Sequence, residues 1–268
     1  MSSQCWRSYV EVKGIDTKGE YPPLVFIHGS YATTSTWKMI VNELAKNRLC
    51  LLVRLPGHGS APPLPSGAAL DAECCLIENI LNHHVKEPVH LIGHSFGGVL
   101  ALSLLLRGRV AIARLSLFEP VAVWLLHSVQ EDKYKQQVDE LLVRCRDKGV
   151  IDQRCVCELV IDFWAGEGQF QSLPAEIQRT MVALVDENVR HWQISQLCRY
   201  SLSLLRQCMV PVDLVYGTES NPVVHSICHH LAQLLPVSKT CHIEAASHFL
   251  VTSHPKQCVA VINRNLGS

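Results

Sequence analysis

Six short apolar runs, most of them stopped by a glycine or proline turn, constrain this chain more than any other feature. Leu24 to Ile27 (LVFI) ends at His28-Gly29, Cys50 to Leu55 (CLLVRL) at Pro56-Gly57, and Val89 to Gly93 (VHLIG) just before Ser95. Leu115 to Phe118 (LSLF) ends at Glu119-Pro120, Val212 to Gly217 (VDLVYG) at Thr218, and a last run covers Thr240 to Glu244. Runs of this kind are the signature of strands buried on both faces. Between them lie helical stretches: Ser35 to Lys46 behind a Ser/Thr-rich N-cap region, Ala68 to His84, Phe96 to Arg107, Pro222 to Leu235 and Pro255 to Asn265. Strand and helix in alternation predict an α/β fold with a doubly wound, mostly parallel sheet.

One interval breaks the alternation. About 90 residues separate Phe118 from Val212, far more than an ordinary connection needs. KYKQQVDELLVRCRDKG and AEIQRTMVALVDENVRHWQISQLCRYSL carry apolar positions at helical spacing, and WAGEGQFQSLP breaks them. The expectation is a core of residues 1–120 and 210–268 with a helical cap, 121–209, inserted into it.

Composition narrows the partners. Lys plus Arg and Asp plus Glu are both 24, so no overall field draws the chain to nucleic acid or an anionic membrane. A small-molecule substrate is the expected partner, on a monomer or homodimer. The opening MSSQCWRSYVEVKG lacks an apolar signal region, and no apolar run reaches the ~18 residues of a membrane span. A cytoplasmic protein follows, in which the 12 cysteines are reduced, buried thiols.

The chemistry concentrates at Gly93-His94-Ser95-Phe96-Gly97. A nucleophilic serine must project its hydroxyl from a backbone kinked between strand and helix, and the flanking glycines mark positions where a Cβ would collide with neighbouring elements. The Phe96 N–H at the helix start is placed to stabilise a developing oxyanion, and the Ser30 N–H, in the loop after the first strand, is the expected second donor. The serine needs an imidazole to take its proton, and His248, just beyond the last strand, lies in the chain order serine, acid, histidine. His94 is read as structural, and His254, followed by Pro255, as the start of the last helix.

With these motifs in this order the chain resembles the α/β-hydrolase superfamily from about Leu24 to its C-terminus. LPGHGSAP (Leu55 to Pro62) is similar to the superfamily's turn after the next strand, with Arg54 where an aspartate is often found. LFEP, FWAGEGQFQSLP and SHFLVTSHP resemble a group of bacterial-type capped hydrolases. The resemblance implies a triad whose acid most often follows the penultimate strand. There this sequence has Glu219 and then Ser220 in place of the aspartate, whereas Glu119 stands at the carboxyl end of the LSLF strand, where some members carry the acid. Glu119 is preferred and Glu219 is the second choice. Asp213, inside a strand run, is the poorer candidate.

The expected reaction is ester or thioester cleavage through an acyl-enzyme on Ser95, with His28, Tyr31, Trp124 and Trp164 as substrate contacts and no cofactor or metal. Aromatic residues crowd the insertion and suit an apolar substrate. A carbon–carbon bond hydrolase with the same triad, or a ligand-binding protein on the same scaffold, are the alternatives. His225, Cys228 and His229 have helical spacing for zinc but lack an obvious fourth ligand. Cys74-Cys75 and Cys155-x-Cys157 read as packing thiols rather than redox pairs.

Overall fold

The computed structural model describes residues 8–16, 20–65, 67–146 and 152–264. In chain order, β1 (Val10–Gly14) and β2 (Leu24–Ile27) lead through one 3-10 turn, Thr34–Trp37, into α1 (Lys38–Leu44). Then come β3 (Leu49–Val53), α2 (Leu70–His84), β4 (Val89–His94), α3 (Phe96–Arg107) and β5 (Ile112–Phe118). Seven helices separate β5 from β6 among the described residues: α4 (Trp124–Ser128), α5 (Asp132–Arg146), α6 (Gln153–Ala165), α7 (Gln169–Ser172), α8 (Ala175–Val182), α9 (Val185–Gln196) and α10 (Leu202–Arg206). β6 (Val212–Gly217), α11 (Pro222–Leu234), β7 (Ser238–Ile243), α12 (Leu250–Ser253) and α13 (Pro255–Asn263) complete the chain.

The strands form one sheet in the order β1-β3-β2-β4-β5-β6-β7. Every pairing is parallel except β1 with β3, which runs antiparallel in the register Val10 to Val53. No apolar run marks β1, because as an edge strand it buries only Val10 while Lys13 and Gly14 are exposed. Arg54, at the end of β3, holds this edge by donating to the Ser8 carbonyl at 2.6 Å and pairing with Glu11 at 2.5 Å.

The alternating faces of each strand explain why helices cover both sides. From β2, Leu24 and Phe26 pack with Trp37, Ile40 and Val41 near α1 and with Cys258 and Ile262 of α13. Val25 and Ile27 point the other way, into a core with Ile77 of α2, Val99 of α3 and Ile227 of α11. Successive strand residues take opposite sides, so a strand apolar throughout needs a helix layer on each. The result is the doubly wound arrangement: a mostly parallel seven-stranded sheet flanked by helices. No helix among the described residues is long and apolar enough to cross a membrane, and their eleven cysteines are all free thiols.

The parallel strands end on one side of the sheet, where the turns after β2, β4, β5 and β7 converge. Ligand sites in open α/β sheets form at that carboxyl edge.

Candidate active site

Ser95 sits between β4 and α3 with φ 56° and ψ −121°, a strained backbone for a residue bearing a side chain. Close approach keeps the kink: a Cβ on Gly93 would strike the Gly97 carbonyl, and one on Gly97 the carbonyls of Ile27 and His28. The Ser95 N–H donates to the Phe118 carbonyl at 3.0 Å, which ties the turn to β5. Phe96 heads α3, where the first N–H groups have no partner within the helix.

His248 lies between β7 and α12, and its Nε2 is 3.0 Å from Ser95 Oγ. On the other side its Nδ1 is 2.9 Å from Glu119 Oε2. Glu119, just past β5, adopts φ 51°, again in the left-handed region. Its other oxygen, Oε1, accepts from the Gly217 N–H at 2.7 Å and from the Ser220 hydroxyl at 2.5 Å. The carboxylate is fully buried and has partners on both oxygens, as a buried charge requires. Hydroxyl, imidazole and carboxylate in series form an arrangement that can pass a proton from oxygen to nitrogen and stabilise the resulting imidazolium.

The imidazole is held from several directions. His94 donates from Nε2 to the His248 carbonyl at 2.9 Å, and burial pushes the His94 pKa down to about 3, which keeps that ring neutral. Trp164, from α6, stacks on His248 with centroids 5.6 Å apart and itself stacks on Trp192 of α9. Ser95 opens into a cavity of about 540 Å³ bounded by the β2–α1 loop, α6, α8, α9 and the start of α12. Val160, Ile161, Trp164, Met181 and Trp192 supply apolar wall, and among the described residues no Asp, Glu, Lys or Arg side chain lines it.

Ser95, His248 and Glu119 therefore come together, with Ser30, Phe96, Tyr31 and Trp164 on the cavity wall. Two expected substrate contacts do not. His28 is fully buried outside the cavity. It accepts from the Leu55 N–H on Nε2 at 3.1 Å and donates from Nδ1 to the Gly29 carbonyl at 2.8 Å, so both nitrogens serve loop geometry. Burial holds its pKa well below the usual histidine range. Trp124 is buried under the insertion against Tyr200, 5.6 Å between centroids, because α4 follows too closely on β5 to reach over the site.

Glu219 is exposed and meets the site only through its backbone N–H, which donates to the Ala246 carbonyl at 2.9 Å. Asp213 is buried in β6 and accepts from Arg114 and Ser116 at 2.8 and 3.0 Å, a different cluster from that at Ser95. His254 occupies the N-cap of α13. Of the three zinc-spaced residues, His225 donates to the Gly217 carbonyl, Cys228 is buried and His229 contacts Gln233. They do not converge on a metal position.

Sequence reasoning missed His191 and Ser220. His191, on α9, lines the cavity and bonds Ser30 Oγ at 2.8 Å, a contact spanning 161 residues that no local pattern announces. Ser220 is noticed only as a missing aspartate, and its partner Glu119 is 101 residues away.

Comparison with known proteins gives the family of the chain. A pimeloyl-[acyl-carrier protein] methyl ester esterase from Chromobacterium violaceum is 34% identical over 88 residues, a local match in which the chain spans about a third of that relative's length, 32% of each. The corresponding esterase from Aeromonas hydrophila is 25% identical over 287 residues, covering 94% of this chain and 98% of the relative. The structure of a thermophilic esterase from Thermogutta terrifontis superposes with a TM-score of 0.72 at 21% identity, covering 95% of this chain and 90% of that one. Residues 24–261 match the model of the Alpha/beta hydrolase family, and the chain belongs to that family.

Proposed function

We propose that the protein is a serine hydrolase acting on small, neutral carboxylic esters or thioesters with an apolar acyl part. The observation that carries the reading is the series Ser95 Oγ, His248 Nε2, His248 Nδ1 and Glu119 Oε2, with contacts of 3.0 and 2.9 Å. Ser95 Oγ attacks the carbonyl carbon as its proton passes to His248 Nε2. The N–H groups of Ser30 and Phe96 hold the resulting oxyanion, and Glu119 orients and stabilises the imidazolium. The C–O or C–S bond then breaks, His248 gives its proton to the leaving group, and an acyl ester remains on Ser95. Water attacks that ester, its proton going to His248 and then to Ser95 Oγ as the acid departs.

The cavity supports a neutral substrate. The described residues of the lining include no Lys or Arg, so a carboxylate entering it would be desolvated with no cation among them to meet it. This weighs against carbon–carbon hydrolysis of a substrate that carries its own carboxylate. Similarity to methyl ester esterases favours ester over carbon–carbon cleavage. Residues 121–209 serve in this reading as a cap that roofs the site with Trp164 and Trp192. A ligand-binding protein needs no acid beside its histidine, so Glu119 beside His248 weighs against that alternative.

A fluorophosphonate probe tests the reading directly. Wild-type protein should be labelled at Ser95 and should hydrolyse p-nitrophenyl butyrate, and Ser95→Ala should do neither. Ligand binding without label or turnover would support the receptor alternative instead.

A further inference from the structure

The two residues assigned above as oxyanion donors share a neighbour that the reaction does not use. His191, on α9, brings Nδ1 to 2.8 Å from Ser30 Oγ and lays its ring nearly parallel to that of Phe96, centroids 3.8 Å apart and 11° between planes. Its Nε2 approaches Glu73 Oε1 of α2 at 3.3 Å. The ring is also parallel to His58, 5.5 Å away, and His58 Nε2 reaches the Ser30 carbonyl at 2.6 Å. His191 is 1% exposed and Glu73 fully buried. One imidazole of the insertion thus touches the side chains of both residues and faces Glu73 of a core helix, 118 residues earlier in the chain.

We propose that His191 is a positioning residue that sets the oxyanion-binding loop, with Glu73 fixing its ring orientation and Ser30 Oγ receiving its hold. This rests on the reading of Ser30 and Phe96 as oxyanion donors. The physical need is plain: two main-chain amides stabilise an oxyanion only when held within about half an ångström of the productive geometry. Gly29, Ser30 and Tyr31 lie in a turn outside any helix or strand, closed by one backbone bond from the Ala32 N–H to the Gly29 carbonyl at 3.2 Å, so side-chain contacts add to its rigidity.

Glu73 explains the orientation. Burial alone pushes its pKa up, but His191 and Arg190 outweigh burial and hold it below the ordinary carboxylate range, so the group is ionised. Glu73 Oε1 lies 3.3 Å from His191 Nε2, so this edge of the ring faces α2. Nδ1 is then turned to Ser30 Oγ, with which it shares one hydrogen bond at 2.8 Å. Because α9 belongs to the insertion while Ser30 and Glu73 belong to the core, seating the insertion and aligning the loop become one event.

The test measures kcat and KM for p-nitrophenyl butyrate, together with the rate of Ser95 labelling by a fluorophosphonate. The proteins compared are wild type, His191→Phe, His191→Asn, Ser30→Ala and the Ser30→Ala/His191→Phe pair. His191→Phe keeps a stacked ring but loses Nδ1, and its kcat should fall about 10- to 100-fold with KM within about threefold, less than the loss of a whole oxyanion donor. His191→Asn, whose amide stands where Nδ1 did, should recover at least about fivefold of that loss. The double variant should be no slower than the worse single variant, since both remove one contact.

A labelled wild type with His191→Phe turning over at the wild-type rate overturns the positioning role and leaves the hydrolase reading intact. So does a His191→Asn enzyme slower than His191→Phe, which would mean that the ring only packs. A wild type that neither takes the probe nor cleaves ester overturns the hydrolase reading and this inference with it. Should His191→Phe fail to fold, Ser30→Ala reads the same contact from the other side, and a kcat at the wild-type level would refute the proposal.

Discussion

The Ser220 hydroxyl donates to Glu119 Oε1 at 2.5 Å, joining the turn after β6 to the end of β5. Ser220 stands where a member of the superfamily most often carries its acid. In this chain the carboxylate beside His248 comes from the end of the neighbouring strand, and Ser220 donates to it. The Gly217 N–H adds a second donor at 2.7 Å, so both of these contacts fall on Oε1 and leave Oε2 for His248.

From this arrangement Glu119→Gln should lower kcat by about 10⁴-fold, because an amide can hold the imidazole in the wrong tautomer and cannot stabilise its charge. Glu219→Gln, exposed and turned away, should change kcat by no more than a few-fold. Steady-state kinetics on an ester that wild type cleaves decides it: equal losses in the two variants would remove Glu119 from the assigned role.

The same proximity allows a transplant. Glu119→Ala leaves His248 without its carboxylate, and Ser220→Asp introduced beside it should restore at least about tenfold in kcat, because the new carboxylate grows from a position within hydrogen-bond reach of the old one. Ser220→Asp alone should be slower and less stable than wild type, since two carboxylates would share one buried site. A double variant no faster than Glu119→Ala would show that a carboxylate at position 220 cannot serve His248.

How much of this was legible beforehand depends on the range of the interactions. Ser95 could be found because glycines must flank a kinked serine locally, and His248 and Glu119 because strand ends can be read from apolar runs. His28 misled for the same reason: a strand-end position says that a residue lies near the carboxyl edge, not which way its ring turns. In the event its two nitrogens bond Leu55 and Gly29. β1 escaped notice because an edge strand with one buried side chain carries no apolar run. His191 was invisible, since its partners Ser30 and Glu73 are 161 and 118 residues away and its local sequence is that of an ordinary amphipathic helix.

Buried histidines should make stability depend on pH above the range where carboxylates titrate. Burial is the main cause that brings the pKa of both His90 and His94 down to about 3, against an ordinary 6.5. The unfolded chain then binds protons on both rings as pH falls through 6.5 while the folded protein does not, so stability is complete above 6.5 and declines toward 3. Each ring contributes up to about 1.4 kcal/mol per pH unit well below 6.5, or roughly 2.7 for the two. Urea midpoints at pH 7.5, 6.5, 5.5 and 5.0 should fall progressively, and a flat profile would contradict the buried, neutral assignment.

Cys155 and Cys157 share one turn of α6 but face opposite ways, Cys155 exposed and Cys157 fully buried, as two-residue spacing on a helix dictates. Burial pushes the thiols of Cys50, Cys157, Cys198 and Cys258 up to about 12, leaving them protonated and shielded at neutral pH. Brief iodoacetamide treatment of native protein, followed by peptide mapping, should find Cys155 modified well before any of those four. Early labelling of Cys157 would mean that α6 opens readily.

The absence of Asp, Glu, Lys and Arg among the described residues of the cavity wall makes the sharpest demand on substrate choice. Each methylene added to the acyl chain can bury about 0.8 kcal/mol of apolar surface, so kcat/KM should rise up to about fourfold per carbon from acetate toward butyrate and hexanoate p-nitrophenyl esters. The hemisuccinate ester has nearly the length of a butyrate or pentanoate but ends in a carboxylate. With no Lys or Arg among the described residues of the wall, it must either neutralise or forgo the cavity, and a penalty of at least about 3 kcal/mol, over 100-fold in kcat/KM, is expected. Trp164→Ala should flatten the chain-length series, because Trp164 both walls the cavity and stacks on His248. Comparable turnover of butyrate and hemisuccinate would show that the acyl group does not enter this cavity, and the apolar-acyl assignment would have to be given up.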